Sequence, residues 1–228
     1  QPGSSFKPFI YSAALEKGYT PASIIPDEPI VISAAETGSQ AWEPKNYDNK
    51  FTNETMTFRQ AIWQSTNTIA AKVGLKVGVN AVYDAARRFG ITGRVARVPA
   101  MMLGSADVRP IEMIAAYSTF ANLGERVTPI AILRVEDRNG KIVYQEKPKR
   151  TRVLDEGTAF TLTTALRGVV TNGTGNASVY RAGFTIPSGG KTGTTNDYTD
   201  VWYIGFTKDV VAGVWIGFDA PQWIMPGA

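Results

Sequence analysis

The last third of the chain places the strongest constraint on the fold. Two runs rich in Val, Ile, Trp, Tyr and Phe, at Val201 to Phe206 and Val210 to Gly217, are separated by a Lys208-Asp209 turn. This pattern predicts an antiparallel β-hairpin, and we expect the segment around Lys191 to add a neighbouring strand. Because helical segments precede these strands, the order of elements implies α+β layering.

The first two-thirds of the chain is predominantly helical. Apolar residues recur there at helical spacing, with Pro, Gly or capping residues at the ends. The predicted helices are Ser4 to Lys17, one beginning at Thr57, Val79 to Phe89, Pro110 to about Phe120, and Asp155 to about Val170. In contrast, Tyr19 to Asn53 contains four prolines and is predicted to be a long ordered loop anchored by Trp42 and Tyr47.

A second hairpin is predicted near residues 130–146. The β-like runs Ile130 to Val135 and Lys141 to Gln145 are joined through a stretch that ends in Asn139-Gly140. Asn-Gly between two such runs is a strong hairpin signal. Because charged residues dominate it, we expect a peripheral flap on a single domain that covers residues 1–228.

The chain contains neither cysteine nor histidine. Thiol nucleophiles, disulfides, and thiolate or imidazole metal sites are therefore excluded. A Ser-His-Asp triad is excluded as well, so acid–base chemistry has to use Lys, Asp, Glu or Tyr. The net charge is +4, from 24 basic and 20 acidic residues, which suits an anionic ligand but is too small to imply nucleic acid. The basic run from Lys147 to Arg152 is expected to be a solvated loop.

Three short motifs carry candidate chemistry. In Ser4-x-x-Lys7, the two side chains share one helix face, as a serine nucleophile and an amine base require, although a helix start with an incidental lysine has the same pattern. In Gln64-Ser65-Thr66-Asn67-Thr68, polar residues interrupt a helical pattern, which predicts a turn between two helices. This turn either directs Ser65 and Asn67 toward a cleft or is an ordinary interhelical turn.

The third motif, Lys191-Thr192-Gly193-Thr194, combines a cation with two hydroxyls on a predicted strand. Such a set is suited to binding a carboxylate. Gly193 lacks a side chain, so a ligand backbone could approach the strand closely. The same residues are also typical of a Gly-rich turn before a hairpin.

Taken together, the three motifs and their flanking residues resemble the transpeptidase domain of class A, bifunctional penicillin-binding proteins. The resemblance covers nearly the whole chain. It is carried by Gln1-Pro2-Gly3-Ser4, Phe6-Lys7-Pro8-Phe9, Gln64-Ser65-Thr66-Asn67, Gly190 through Asp197, and Val214 through Asp219. It implies a β-lactamase/transpeptidase-like fold, in which an antiparallel sheet packs against an α-helical subdomain. Compared with that fold, the chain lacks strands before Ser4 and a closing helix after Asp219, so we expect a fragment truncated at both ends.

The resemblance implies a D,D-transpeptidase that cross-links peptidoglycan stem peptides ending in D-Ala-D-Ala and is acylated by β-lactams. Ser4 would be the nucleophile, Lys7 its proton acceptor in neutral form, and Ser65 the group that hands a proton to the leaving D-Ala. The implied substrate-binding residues are Asn67, Lys191, Thr192, Gly193 and Thr194. Neither a metal nor a cofactor is implied.

The resemblance further implies a glycosyltransferase domain on the same polypeptide and a membrane-anchored position on the extracytoplasmic, periplasmic side. Three alternatives remain open. The first is a D,D-carboxypeptidase or β-lactamase-like hydrolase, for which Glu112 and Glu125 lie in the required interval but without a matching loop. The others are a single-activity class B transpeptidase and a non-catalytic β-lactam-sensing domain.

Overall fold

The helix that follows the Ser4 turn lies at the centre of the structure. In the computed structural model, which describes residues 1–195 and 198–224, a 3-10 helix over Gly3–Phe6 leads directly into helix α1, Lys7–Glu16. Every residue from Ser5 to Ala14 is buried. A helix that is apolar on most of its faces is stable only when other elements surround it. The predicted helix is confirmed, except that its first turn is 3-10 rather than α.

The other elements follow in an order that separates helices from the main sheet. The helices are α2 (Ala34–Thr37), α3 (Phe58–Gln64), α4 (Asn67–Val77), α5 (Val79–Arg88), α6 (Pro110–Ala121) and α7 (Glu156–Thr171), with a 3-10 turn at Pro99–Leu103 and a π-helical turn at Asn176–Tyr180. The strands are β1 (Ile24–Pro26), β2 (Thr55–Thr57), β3 (Glu125–Val127), β4 (Arg134–Glu136), β5 (Ile142–Gln145), β6 (Arg150–Arg152), β7 (Gly189–Thr194), β8 (Asp200–Phe206) and β9 (Val211–Gly217).

Strands β7, β8 and β9 form the main antiparallel sheet in that order. Helices α6 and α7 pack on one of its faces, where Trp202, Ile204 and Phe206 of β8 are buried. Lys191 pairs with Ile204 in the register, so it points to this same buried face. The predicted hairpin, its neighbouring strand and the α+β layering are confirmed.

The helical layer surrounds α1 with α4, α5 and α7. Helix α3 approaches α7 so closely that a Cβ added at Gly168 would lie 1.8 Å from Nε1 of Trp63. That indole nitrogen donates to the carbonyl of Ala165 at 2.9 Å. The contact fixes α3, and therefore the turn that follows it, against the rest of the core. Burial of these apolar faces is the main stabilising contribution to the layer.

Two peripheral predictions need correction. The hairpin of β4 and β5 is present but shorter than expected, and all seven of its strand residues are exposed. The basic run from Lys147 is not entirely a loop, because Arg150–Arg152 forms strand β6 and pairs with β3. Ion pairs from Arg150 and Arg152 to Glu125 accompany this pairing. Opposite charges on paired strands explain why a basic segment becomes a strand here.

The segment from Tyr19 to Asn53, predicted to be a loop, contains strand β1 and helix α2, and its anchors also differ from the prediction. Trp42 is half-buried and forms a β-bridge with Ile32, whereas Tyr47 is 67% exposed and contacts Tyr198 rather than the core. Among the described helices, none combines the length and the hydropathy required to cross a bilayer. Asn196 and Asp197, which follow the third motif, lie outside the described residues.

Candidate active site

The amine of Lys7 is fully buried and bonded to residues of the second motif. It donates to the carbonyl oxygen of Ser65 at 2.5 Å, to Oδ1 of Asn67 at 2.6 Å, and to Oγ of Ser65 at 3.2 Å. Burial lowers the pKa of Lys7 well below its ordinary value, and repulsion from Lys191 lowers it further. A buried lysine held in this way favours the neutral amine, which is the form able to accept a proton.

Ser65 occupies the turn between α3 and α4. A capping box between Thr57 and Gln60 begins α3, at the residue where the sequence predicted a helix to begin. The helix ends at Ser65 in the left-handed conformation, with φ 58° and ψ 35°. This conformation costs a non-glycine residue of order 1 kcal/mol, and such strain clusters at functional sites. Here it points the Ser65 hydroxyl between two lysines, at 3.2 Å from Nζ of Lys7 and 2.8 Å from Nζ of Lys191.

Asn67 is the first residue of α4, and both ends of its amide are occupied. Oδ1 accepts from Lys7, while Nδ2 donates to the carbonyl of Lys45 at 2.7 Å. The Lys7 amine and the Lys45 carbonyl demand opposite ends of the amide, so only one orientation of the side chain satisfies both. Asn67 therefore fixes the direction of one N–H group of Lys7.

Lys191 is the second buried lysine of the site. It lies on β7, and its amine donates to Oγ of Ser65 at 2.8 Å and to the carbonyl of Thr192 at 3.2 Å. Burial lowers the pKa of Lys191 to about 7. Lys7, Ser65, Asn67 and Lys191 therefore form one hydrogen-bonded group, which we call the two-lysine cluster.

Ser4 is the accessible residue of its turn. It is half-buried, whereas Gly3 and Ser5 on either side are buried. The turn is fixed by hydrogen bonds from the Gly3 N–H to the Gly104 carbonyl and from the Tyr117 hydroxyl to the Ser5 carbonyl. The carbonyl of Ser4 accepts from the backbone N–H of Lys7, which places the two residues one 3-10 turn apart.

Strand β7 lies directly against the Ser4 turn. A Cβ added at Gly193 would lie 2.3 Å from the carbonyl oxygen of Pro2, and one at Gly3 would lie 2.4 Å from the carbonyl oxygen of Thr194. Gly193 is therefore required for contact with the chain's own backbone, a different reason from the close approach of a ligand that the sequence suggested. Thr192 and Thr194 are half-buried, and the hydroxyl of Thr192 lies 2.9 Å from that of Thr174.

Sequence reasoning missed three residues that contact the site from the long loop between α1 and α3. The carbonyl of Lys45 holds Asn67, Oδ1 of Asn46 accepts from the backbone N–H groups of Asn67 and Thr68, and Asp27 bonds Asn46. The available signal was the length of the predicted loop, because long loops in compact domains are often functional. In the described part of the chain, acidic side chains form no cluster of three or more that could hold a metal ion.

Comparison with known proteins identifies the family of the chain. A family model described as the penicillin binding protein transpeptidase domain matches residues 1–222. Penicillin-binding protein 1A of Rickettsia conorii is 39% identical over 245 residues, which cover 97% of this chain and 30% of the relative. That of Neisseria gonorrhoeae is 38% identical over 232 residues, which cover 97% and 28%. The chain thus spans less than a third of the length of the curated relatives it matches.

Solved structures give the same result for the fold. The crystal structure of penicillin-binding protein 1A from Haemophilus influenzae superposes with a TM-score of 0.88 at 30% identity, covering 100% of this chain and 39% of that one. The PonA1 protein of Mycobacterium tuberculosis in complex with penicillin V superposes with a TM-score of 0.81 at 25% identity, covering 97% and 62%. The predicted transpeptidase-type fold is confirmed, and the chain belongs to the transpeptidase-domain family of the penicillin-binding proteins.

Proposed function

We propose that this chain carries a serine D,D-transpeptidase site that cross-links peptidoglycan stem peptides and is acylated by β-lactams. The observation that supports this most directly is the Lys7 amine. It is buried, two fixed carbonyl oxygens occupy two of its N–H groups, a second lysine repels its proton, and it lies one turn after Ser4. This is the arrangement of an activated serine that has an amine as its base.

In the proposed acylation, Ser4 Oγ attacks the carbonyl carbon of the penultimate D-Ala and its proton passes to Nζ of Lys7. The tetrahedral intermediate then breaks its C–N bond, and the leaving D-Ala amine takes a proton through the Ser65 hydroxyl. Ser65 suits this role because its oxygen contacts both lysines of the two-lysine cluster. The product is a stem peptide esterified to Ser4.

In the proposed second step, the acyl group is transferred from Ser4 to a second amine. The amine of a neighbouring stem peptide attacks the ester carbon, loses a proton to the cluster, and the C–Oγ bond breaks as Ser4 regains its proton. A β-lactam would follow the first step only, because opening its ring leaves the amine attached to the acyl group. No departing fragment then makes room for the second amine, so the adduct is expected to persist.

The proposed substrate contacts lie on β7. The terminal carboxylate of the stem peptide would bind near Lys191, Thr192 and Thr194. The Lys191 amine lies 3.5 Å from the Thr192 hydroxyl, and Thr192 and Thr194 are both half-buried. Asn67 would hold the peptide amide, and Gly193 would keep β7 against the nucleophile turn. The backbone N–H groups of Ser4 and Thr194 would stabilise the oxyanion. Loss of one such donor typically costs about 2.7–4 kcal/mol.

Hydrolysis is less well supported than transfer. A glutamate that activates water would have to be free to face the ester. The carboxylate of Glu112 instead accepts from Thr92 and pairs with Arg109, and that of Glu125 pairs with Arg150 and Arg152. Both carboxylates are thus engaged away from the two-lysine cluster. These contacts support a long-lived acyl-enzyme rather than a β-lactamase.

The larger protein is proposed to resemble its relatives. Those relatives are named penicillin-binding protein 1A and are more than three times as long as the matched region. On this basis we infer a glycosyltransferase domain on the same polypeptide and a membrane-anchored position on the periplasmic side.

Covalent labelling tests the proposed function. Fluorescent penicillin should label the chain, and mass spectrometry should place the adduct on Ser4. Ser4→Ala should abolish the label, while the matched variant Ser5→Ala should retain it, since the Ser5 hydroxyl is buried and bonded to the carbonyl of Pro2. Equal labelling of Ser4→Ala would refute the nucleophile. Cross-linking of polymerised lipid II by the full-length protein then separates a transpeptidase from a sensor.

A further inference from the structure

The long loop between α1 and α3 reaches the two-lysine cluster through Asn46. Oδ1 of Asn46 accepts from the backbone N–H of Asn67 at 2.9 Å and from that of Thr68 at 3.3 Å. Asn46 thereby caps helix α4, whose own N-cap residue Thr66 supplies no side-chain hydrogen bond. The neighbouring carbonyl of Lys45 accepts from Nδ2 of Asn67 at 2.7 Å. Two consecutive loop residues therefore set the position and the amide orientation of Asn67.

Asn46 is in turn oriented by Asp27. Its Nδ2 donates to Oδ1 of Asp27 at 2.9 Å and to the carbonyl of Lys50 at 2.9 Å. Both of these partners are acceptors, while the helix N–H groups opposite are donors. A flipped Asn46 would face donors with its NH₂ group and acceptors with its oxygen, so only the observed orientation satisfies all four neighbours.

Asp27 is a buried carboxylate that the proposed chemistry does not use. It is 1% exposed and accepts from the backbone and hydroxyl of Thr52 at 3.0 and 3.1 Å, from Thr68 at 2.5 Å and from Asn46. Within residues 1–195 and 198–224 it forms no ion pair. The nearby Lys72 instead bonds the carbonyl of Pro26 and approaches Glu28 at 3.9 Å. Burying a charge without a counter-ion costs free energy, so the presence of the Asp27 carboxylate at this position needs an explanation.

We propose that Asp27 and Asn46 are positioning residues that hold Asn67 with its Oδ1 toward Lys7. This inference rests on the proposed function of Lys7 as the base. A neutral amine has two N–H groups and one lone pair. With the Ser65 carbonyl and Asn67 Oδ1 taking the two N–H groups, the lone pair is left for an incoming proton. A displaced or flipped Asn67 would present N–H groups to the amine and leave the lone pair without a fixed direction.

Reversal of the hydrogen-bond polarity tests the proposal. Asp27→Asn places an NH₂ group against either the Thr52 N–H or the Asn46 NH₂, and Asn46→Asp places two carboxylates in contact. The double variant, which combines Asp27→Asn with Asn46→Asp, would restore one direct hydrogen bond between the two side chains and the cap on α4. It would lose the bond to the Lys50 carbonyl, and the Thr68 hydroxyl, which donates to Oδ1 of Asp27, would have to accept there instead. Asp48→Asn is the matched control. Asp48 lies on the same exposed loop, and an asparagine there still accepts from the Lys50 N–H.

The first readout is the second-order rate constant of Ser4 acylation by fluorescent penicillin as a function of pH. Each single variant should slow acylation about 10- to 100-fold, the loss typical of a small misplacement of a catalytic group. The double variant should be at least several-fold faster than either single, and Asp48→Asn should match the wild type. Oδ1 of Asn67 also stabilises protonated Lys7, so losing it should lower the pKa of Lys7. The acid limb of the pH–rate profile, where the rate constant rises with pH, should then move to lower pH. The charged group that faces Lys7, Lys191 on β7, is unchanged in all variants.

The second readout does not depend on acylation. The Asn67 side-chain amide should be protected from solvent exchange in the wild type and should exchange at least tenfold faster in Asp27→Asn. Protected Asn67 in a wild-type chain that penicillin does not acylate would defeat the proposed function and leave the positioning intact. The positioning role would be overturned if both single variants were acylated with the wild-type rate constant. It would also be overturned if they showed only a smaller labelled fraction, with the rate constant and the acid limb of the pH profile unchanged. If Asp27→Asn fails to fold, Asn46→Asp is compared with the double variant instead. Faster acylation of the double variant supports the positioning role, and equal acylation overturns it.

Discussion

Lys191 donates to the hydroxyl oxygen of Ser65 at 2.8 Å, and Lys7 reaches the same oxygen at 3.2 Å. Protonated Lys7 can donate to this oxygen together with Lys191. Neutral Lys7, whose two N–H groups are taken by the Ser65 carbonyl and Asn67, would instead accept the hydroxyl proton of Ser65. The two lysines therefore share one small polar contact inside the protein, where charge repulsion is poorly screened. That repulsion contributes to the lowered pKa of Lys7. The protonation state of one lysine thus affects the ability of the other to act as a base.

Removal of the charge at Lys191 should shift the pH dependence of acylation. The neutral form of Lys7 is needed for attack, so the rate should rise with pH through the pKa of Lys7. Lys191→Met removes a cation that lowers this pKa, and the acid limb should move to higher pH. Lys191→Arg keeps a charge at the position and should not move the limb in this direction. Stopped-flow acylation from pH 5 to 9 measures the effect, and an unshifted limb in Lys191→Met would contradict the coupling.

The same two lysines should make stability rise with pH. Their folded pKa values lie below the ordinary value of 10.5, and that of Lys191 is about 7. Between these values the unfolded chain binds more protons than the folded one, so the free energy of unfolding increases with pH across the interval. Lys191→Met should flatten the slope and stabilise the fold by about 1–4 kcal/mol at pH 7, because a buried ionisable group has been replaced by an apolar one.

Urea denaturation at pH 7 and pH 9.5 tests this expectation. Lys76→Met is the control, since Lys76 is exposed on α4 and the substitution is chemically identical. A wild type whose stability is the same at both pH values would show that the lysines are not held neutral by the fold. Stabilisation by Lys76→Met equal to that by Lys191→Met would show that the effect belongs to methionine and not to the buried site.

Two substitutions at Ser65 should separate its backbone strain from its chemistry. Both Ser65→Ala and Ser65→Gly remove the hydroxyl and should slow acylation by about 10²- to 10⁴-fold, the range for one acid–base group. Their stabilities should differ, because φ is 58° and glycine adopts this conformation without the penalty of a Cβ. Ser65→Gly should therefore be more stable than Ser65→Ala by about 1 kcal/mol in thermal unfolding. Fast acylation by either variant would exclude the hydroxyl from proton transfer.

Much of the architecture followed from local patterns in the sequence. The 3.6-residue periodicity of the helices, the helix start at Thr57 and the β-rich runs near the C-terminus depend on short-range chemistry. Each was found where predicted. The β6 strand was missed because its partner β3 lies more than 20 residues away and the pairing depends on charges across the two strands. Local propensity carries no information about such a partner.

Only part of the candidate site was predicted from the sequence, because only some of its residues lie in local motifs. Lys7, Ser65, Asn67 and Lys191 were recognised through motifs, and the structure brings all four together. Asp27 and Asn46 lie in no motif, and their importance arises only from the folding of a loop against the first turn of α4. The reason for Gly193 was also hidden, because the backbone that fills its Cβ position belongs to Pro2, at the opposite end of the chain.

Gly193 should therefore tolerate no side chain. Its φ is not in the left-handed region, so the restriction is purely steric, and a methyl group would lie 2.3 Å from the carbonyl oxygen of Pro2. Gly193→Ala has to move β7 away from the Ser4 turn, and we expect at least a tenfold loss in acylation rate together with a lower melting temperature. Gly157→Ala is the matched control, since that glycine is exposed in the first turn of α7. A Cβ there would meet only the side chain of Asp155, at 3.3 Å, so the stability should change by no more than about 1 kcal/mol. Penicillin labelling and thermal unfolding of both variants make the comparison. If Gly193→Ala is acylated at the wild-type rate, the packing of β7 against the Ser4 turn is not what holds the nucleophile in place.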